Sequence, residues 1–393
     1  MTFPGTERQA ALLAMVEAVA GPIAARAEQV DRDNVFPFEN FADLRRVGYL
    51  GATVPERFGG LGATPLELAV AQERLGRACG ATALAASMHL ILHGRLGEGN
   101  DWPDALYERV ARGAAERGEL INTLHSEPDL GSPSRGGLPS TTATRTAEGW
   151  RVDGRKSWAS LAPALTWMSV LVALVDDGPP RRGHLLVPAN LPGVRVEETW
   201  DNLGMRGTAS HDVVFERVVV PHDHLLPPEP PGPAFSPWSI FSGSAVFLGI
   251  AAAARDAAVA YARTRQPSGM PGPIAELPAI QQRVAAIELE LLPARTLLFD
   301  LARRWDEQPE ERDGLGWQLA AAKLIVTNAV LRSTDLALRV SGSAGLSRRS
   351  PLQRCFRDAR TSLGHPPMED VVLTTVGRTV LGLDAAGKVA AGS

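Results

Sequence analysis

Two short stretches govern the reading of this chain: Ser126-Glu127-Pro128-Asp129-Leu130-Gly131-Ser132 and Gly154-Arg155-Lys156-Ser157-Trp158-Ala159-Ser160. Between them, residues Thr141 to Val152 alternate like a strand. A loop dense in hydroxyls and glycine, then strands, then a Trp-x-Ser tip, suits a flat aromatic ligand. Glycine permits close backbone approach. An indole covers one ring face while N–H and hydroxyl groups meet ring heteroatoms.

Outward from this centre the chain divides into three regimes, an α+β arrangement. Residues 1–120 carry helical periodicity, with Leu12, Met15, Val16 and Val19 as one apolar face. Residues 121–230 carry short strands bounded by Gly and Pro: Ala143 to Val152, Met168 to Leu174, His184 to Val187, Val194 to Glu197 and Val213 to Val220. That texture predicts a compact antiparallel β domain holding the ring site, closed by the proline-rich linker Pro227 to Pro233. Residues 231–393 return to helices: Ala245 to Thr264, Ala279 to Asp306, Gly314 to Ser341 and Met368 to Leu383. Several are apolar nearly all round, which predicts a helical bundle that also packs on another subunit.

Composition narrows the function classes. The formal charge of −4 over 393 residues gives no basic surface for nucleic acid. Cys79 and Cys355 lack metal-ligand or C-x-x-C spacing and read as reduced thiols of a cytoplasmic protein. Met1 to Ala20 has no signal-peptide layout. No uninterrupted apolar run reaches the roughly 18–20 residues that a membrane span needs. His93, His184, His211, His222 and His224 read as surface or loop groups, and no metal site is expected.

The order and spacing of these stretches resemble the acyl-CoA dehydrogenase superfamily, whose pattern runs T-E-P-x-x-G-S-D and then G-x-K-x-W-I-T. Further stretches extend the resemblance over nearly the whole chain. They are Pro55-Glu56-Arg57-Phe58-Gly59-Gly60, Leu203-Gly204-Met205-Arg206-Gly207-Thr208, Val218-Val219-Val220-Pro221 and Phe356-Arg357-Asp358-Ala359-Arg360. The resemblance implies a helical domain, a β domain and a C-terminal four-helix bundle. It also implies a homodimer or homotetramer in which each flavin touches a neighbouring subunit. Ser126, Trp158 and Ser160 match residues that grip the flavin ring, and Gly131 and Ser132 match the loop beside it. At the cofactor tail Arg265, Gly342 and Gly345 match, and Arg339 replaces a glutamine. FAD is the expected cofactor, with FMN the alternative.

One residue of the dehydrogenase pattern is missing. Abstraction of the weakly acidic α-proton of an acyl thioester needs a carboxylate in reach. The matching position is Pro366, and the position used by a second subgroup falls near Ser239. Glu369 and Asp370 lie close to the first position as substitutes, and their dipole-favoured place at a helix start competes with that role. His365 stands close by, and Gly207-Thr208-Ala209-Ser210-His211-Asp212-Val213 resembles the flavin monooxygenases of the same fold, dibenzothiophene monooxygenase among them. In those enzymes histidines matching His89 and His365, with a serine matching Ser160, surround reduced flavin and O2. Three readings follow. The narrowest is a reduced-flavin monooxygenase on a small organic substrate, served by a separate flavin reductase because no nicotinamide-binding G-x-G-x-x-G precedes a helix. The alternative is an acyl-CoA or acyl-carrier thioester dehydrogenase, with Glu369 or a substrate-borne group as base and an electron-transfer protein as partner. The third is a non-catalytic flavin-binding subunit.

Overall fold

The computed structural model describes residues 4–99, 102–128, 137–228, 236–383 and 387–388. Five helices come first: α1 (Glu7–Asp33), α2 (Phe38–Arg46), α3 (Pro65–Ala78), α4 (Gly80–Glu98) and α5 (Asp104–Arg112). Helix α3 starts where sequence chemistry requires. Thr64 Oγ1 accepts from Glu67 N–H, and the Glu67 carboxylate accepts from Thr64 N–H, a reciprocal capping box.

The β region holds β1 (Leu120–Leu124), β2 (Thr142–Arg145), β3 (Trp150–Ala159), β4 (Leu165–Val175), β5 (Arg181–Pro188), β6 (Val194–Glu197), β7 (His211–Val220) and β8 (Leu225–Leu226). They form one sheet in the order β6-β7-β3-β2-β4-β5-β8, with β1 also paired to β4. Among the described residues five ladders are antiparallel, while β1 and β2 both run parallel to β4. The wholly antiparallel expectation is corrected to that extent. The single strand expected over Thr141 to Val152 is a hairpin, β2 to β3. It breaks at Gly149, whose φ of +153° and contact with the Val220 carbonyl exclude any side chain.

The C-terminal part contains α6 (Pro237–Thr264), α7 (Pro278–Glu307), α8 (Gly316–Ser341), α9 (Pro351–Arg360) and α10 (Glu369–Val380). Helices α6, α7 and α8 pack on one another, α9 lies on α6 and α8, and α10 lies on α8. Helix α6 is apolar all round because it also carries α3 of the N-terminal part. A Cβ at Gly76 would sit 2.5 Å from the Val246 carbonyl, and one at Gly249 2.2 Å from the Glu73 carbonyl. One buried apolar cluster therefore runs through both helical parts and the sheet. By length and composition α1, α6 and the Pro309–Leu346 stretch reach what a membrane crossing needs, which an uninterrupted-run criterion misses. In α6 that apolarity faces α3, α4 and α8.

A buried ion pair fastens the two ends of the chain together. Arg357 on α9 holds Asp31 on α1, Nη1 to Oδ1 at 2.9 Å, and its Nη1 also donates to the Leu203 carbonyl. Breaking a pair this enclosed leaves a buried charge unmet. Arg357→Ala is expected to cost about 3 kcal/mol, read from the urea midpoint; a change under about 0.5 kcal/mol, the usual range of surface substitutions, would refute it.

Candidate functional site

The two governing stretches meet through an enclosed ion pair. Lys156 Nζ on β3 donates to Glu127 Oε1 at 2.6 Å, with side-chain exposures of 0% and 2%. Glu127 also accepts from Thr141 N–H at 3.0 Å and Ser140 N–H at 2.6 Å. Burial alone would raise the Glu127 carboxyl. The bonds from Lys156 and Thr141 outweigh it and hold the group below its usual range. Burial pushes the Lys156 ammonium down, against the attraction of Glu127. Ser157 N–H donates to the Ser126 carbonyl at 2.9 Å, so Ser126 is fixed beside the β3 tip. Gly131 and Ser132 lie outside the described residues.

The tip itself is strained. Pairing of β3 with β7 slips between Lys156 and Ala159, and Trp158 sits at φ +57° with 58% exposure. Leu161, Met205 and Ala209 also have positive φ, so four of the six such non-glycine residues among the described residues gather here. Left-handed backbone costs an L-residue about 1–2 kcal/mol, and clustered strain marks functional sites. Leu161 N–H donates to the Thr208 carbonyl at 3.0 Å, joining the two strained segments. The Trp158 ring meets Trp200 edge-on at 5.0 Å. Trp200 is held in turn by its N–H donating to His211 Nδ1 at 3.1 Å and its indole N–H donating to the Met205 carbonyl at 3.2 Å. Ser160 Oγ lies 2.8 Å from Ser210 Oγ, and its backbone carbonyl accepts from Asn122 Nδ2 at 3.0 Å. Ser157 Oγ is buried without a partner.

An exposed indole on a strained turn, a partly exposed hydroxyl beside it and an orphaned polar atom fit a planar heteroaromatic ring. Sequence reasoning assigned no role to Asn122, Trp200, Thr208 or Ser210. The G-T-A-S stretch was the signal for Ser210, the L-G-M-R-G-T stretch was a second one for Thr208, and Asn122 had none.

The histidines separate. His89 is fully buried; Ile121 N–H donates to its Nδ1 at 3.2 Å, and its Nε2 donates to the Leu50 carbonyl at 2.9 Å. Both ring nitrogens are spent on backbone, so the expected flavin-facing role of His89 is corrected to a structural one. His93, His211 and His224 are buried rather than at the surface. Among the described residues no three His, Cys, Asp or Glu side chains gather to hold a metal.

His365 is half-buried against α6, where a Cβ at Gly243 would lie 3.2 Å from its Cε1, and its ring is 6.1 Å from Phe247. Burial, with the Lys323 charge, pushes its imidazole down to about 4. Lys323 donates to the Ser362 carbonyl at 3.0 Å and so fixes the loop that carries His365. Glu369 is exposed in the first turn of α10.

Burial likewise pushes His89 from 6.5 down to about 4. A folded pKa below the unfolded one means the unfolded chain takes protons first. Stability from these rings is full above about pH 6.5 and falls toward pH 4. Asp306 and Asp358, raised by burial to about 6, act in the opposite sense. His89→Gln keeps a donor and an acceptor but cannot charge. We expect it to flatten the acid loss of the urea midpoint between pH 6.5 and 4.5; an unchanged slope would count against the neutral, backbone-bound ring.

A separate cavity of about 350 Å3 lies at the end of α6, lined by Tyr261, Ser341, Gly345, Ser347, Arg349 and Ser350 among others. Arg265, exposed, is one turn beyond Tyr261. Gly342 takes φ +58° at the end of α8. Arg339 is instead paired with Asp335 at 2.7 Å, so Arg349 supplies the cation that lines the cavity.

The chain matches the acyl-CoA dehydrogenase N-terminal domain over residues 6–98, the middle domain over 122–218 and the C-terminal domain over 241–369. A Bacillus subtilis protein named as the acyl-CoA dehydrogenase YdbM is 38% identical over 373 residues, 94% of this chain and 97% of its own. The chain belongs to the acyl-CoA dehydrogenase family. This family member is a flavin-dependent oxidoreductase. It is also 31% identical to L-evernosamine nitrososynthase of Micromonospora, across 88% of this chain and 84% of that one. Its fold is similar to that of KijD3 in complex with FMN and a dTDP-linked amino keto sugar, with a TM-score of 0.84, 28% identity and coverage of 97% and 95%. The acyl-CoA dehydrogenase family thus includes relatives of this chain with different chemistries.

Proposed function

We propose that the flavin ring lies against Trp158, Ser160 and Ser126, and that the chain is a reduced-flavin, O2-dependent monooxygenase acting on a small organic substrate. When bound, the flavin supplies the electron pair. The observation that carries this reading is the replacement of a proton-abstracting carboxylate by Pro366, next to a His365 ring held neutral against α6. A neutral imidazole hydrogen-bonds without repelling developing negative charge, as a carboxylate would. Trp158 and Trp200 form an apolar wall that excludes water from one side. Lys323 sets the height of His365, and Lys156 and Glu127 set the ring-gripping turn.

The phosphate-bearing tail of the flavin fits the cavity beside Gly345, with Arg349 and Arg265 as the cations. KijD3, bound to FMN, supports a shorter cofactor, and kinship with acyl-CoA dehydrogenases supports FAD. The exposed Leu289 and Leu292 on α7 suit a homodimer or homotetramer contact. A separate flavin reductase supplies electrons, and a cytoplasmic location follows from this dependence.

The dehydrogenase reading is kept as the second, because of the 38% identity to YdbM. Glu369 is then the base. Anaerobic addition of an acyl-CoA series to oxidised protein discriminates. No bleaching is expected, whereas admission of O2 to the reduced protein should return oxidised flavin only after a lag. Prompt bleaching by any acyl-CoA would overturn the monooxygenase reading.

A further inference from the structure

A hydroxyl relay beneath the ring site has a fixed direction. Thr208 Oγ1 donates to the Met205 carbonyl at 2.9 Å, because a carbonyl only accepts. Its single proton is then spent, so Ser210, 2.8 Å away, must donate to Thr208. Ser210 is spent likewise, so the contact at 2.8 Å between Ser160 and Ser210 must run from Ser160 to Ser210. Thr208 and Ser210 are buried, 1% and 5% exposed, so their protons are directed to protein acceptors. Ser160, at the partly exposed end beside Trp158, is left with lone pairs alone to offer outward.

Resting on the flavin reading above, we infer that Ser210 and Thr208 are positioning residues that make Ser160 a hydrogen-bond acceptor toward the flavin and so favour the reduced cofactor. A hydroxyl near flavin N5 is implied by the family resemblance; its polarity is what the relay adds. Oxidised N5 carries no hydrogen and can only accept, so two acceptors would face each other. Reduced N5 carries a hydrogen and donates to Ser160. Cutting the relay frees the Ser160 proton to turn toward oxidised N5, and the preference disappears.

The test is the midpoint potential of bound flavin, measured by reductive titration with dithionite against a reference dye. The variants are Ser210→Ala, Thr208→Val and Thr208→Ser. One net hydrogen bond gained by the oxidised state corresponds to roughly a tenfold loss of preference for reduced flavin. For a two-electron couple that is a fall of about 30 mV. Ser210→Ala and Thr208→Val should show it, and Thr208→Ser, which keeps the donor, should retain the wild-type value. Should Ser210→Ala fail to fold, the contrast between Val and Ser at 208 decides. Equal potentials in wild type and Thr208→Val, with flavin bound, overturn the inference while leaving the flavin reading intact. A wild-type protein that stays colourless with excess FAD and FMN overturns both.

Discussion

Lys156→Met is expected to weaken the fold by about 3–5 kcal/mol, the cost of stranding one partner of a buried pair, and to abolish flavin retention. The two effects share one cause. Glu127 would keep its bonds from Ser140 and Thr141 but lose the cation paired with it at 2.6 Å, a pair with side-chain exposures of 0% and 2%. A charged carboxylate in that position either takes up a proton or pulls the loop apart. Either way the Ser126 segment no longer lies flat against Ser157, and the ring site loses one wall. Urea unfolding and flavin titration of the same preparation check both parts. The double variant Lys156→Met with Glu127→Leu should recover much of the stability, since a matched apolar pair removes the stranded charge. A single variant as stable as wild type would show that the pair contributes nothing to the clamp.

Trp158→Gly should move stability and binding in opposite directions. The tryptophan holds a left-handed backbone at φ +57° while exposing more than half of its surface, so the fold gains little from its burial. Glycine removes the backbone penalty, about 1 kcal/mol, at the cost of the edge contact with Trp200. Thermal stability is therefore expected to hold or rise slightly. Flavin affinity should fall about two- to tenfold from lost stacking alone, because an indole face stacked on a ring is worth about 0.5–1.5 kcal/mol beyond its buried area. A variant that loses stability and keeps its flavin would mean that the turn is strained for the sake of folding.

What the sequence disclosed depended on how local the physics was. The Gly154 to Ser160 tip was legible because its residue types and their order are contiguous in the chain, although their partners, Glu127, Trp200 and Ser210, are distant. Helix α6 was legible because an all-apolar helix must be surrounded. The β2–β3 hairpin was not, since Gly149 occupies a place in an alternating run where only its φ reveals a break. The parallel pairing of β1 and β2 with β4 is a matter of register between distant segments, which alternation does not encode. His89 shows the same limit at the site. Its role is decided by Ile121, 32 residues away, and Leu50, 39 residues away, through backbone groups that every residue type possesses. His365 and the missing carboxylate at Pro366 were visible through the family resemblance, but the neutrality of the imidazole rests on burial first and on the Lys323 charge second, and no motif pointed to either.

The Met205 backbone is held at both of its polar groups. Its N–H is held by Asp358 on α9 at 2.6 Å, while its carbonyl terminates the chain of hydroxyls leading to Ser160. The two peptide groups flanking the Met205 Cα therefore join a C-terminal helix to the proposed ring site. By mass action a ligand that binds only the folded tip is expected to protect that helix from unravelling.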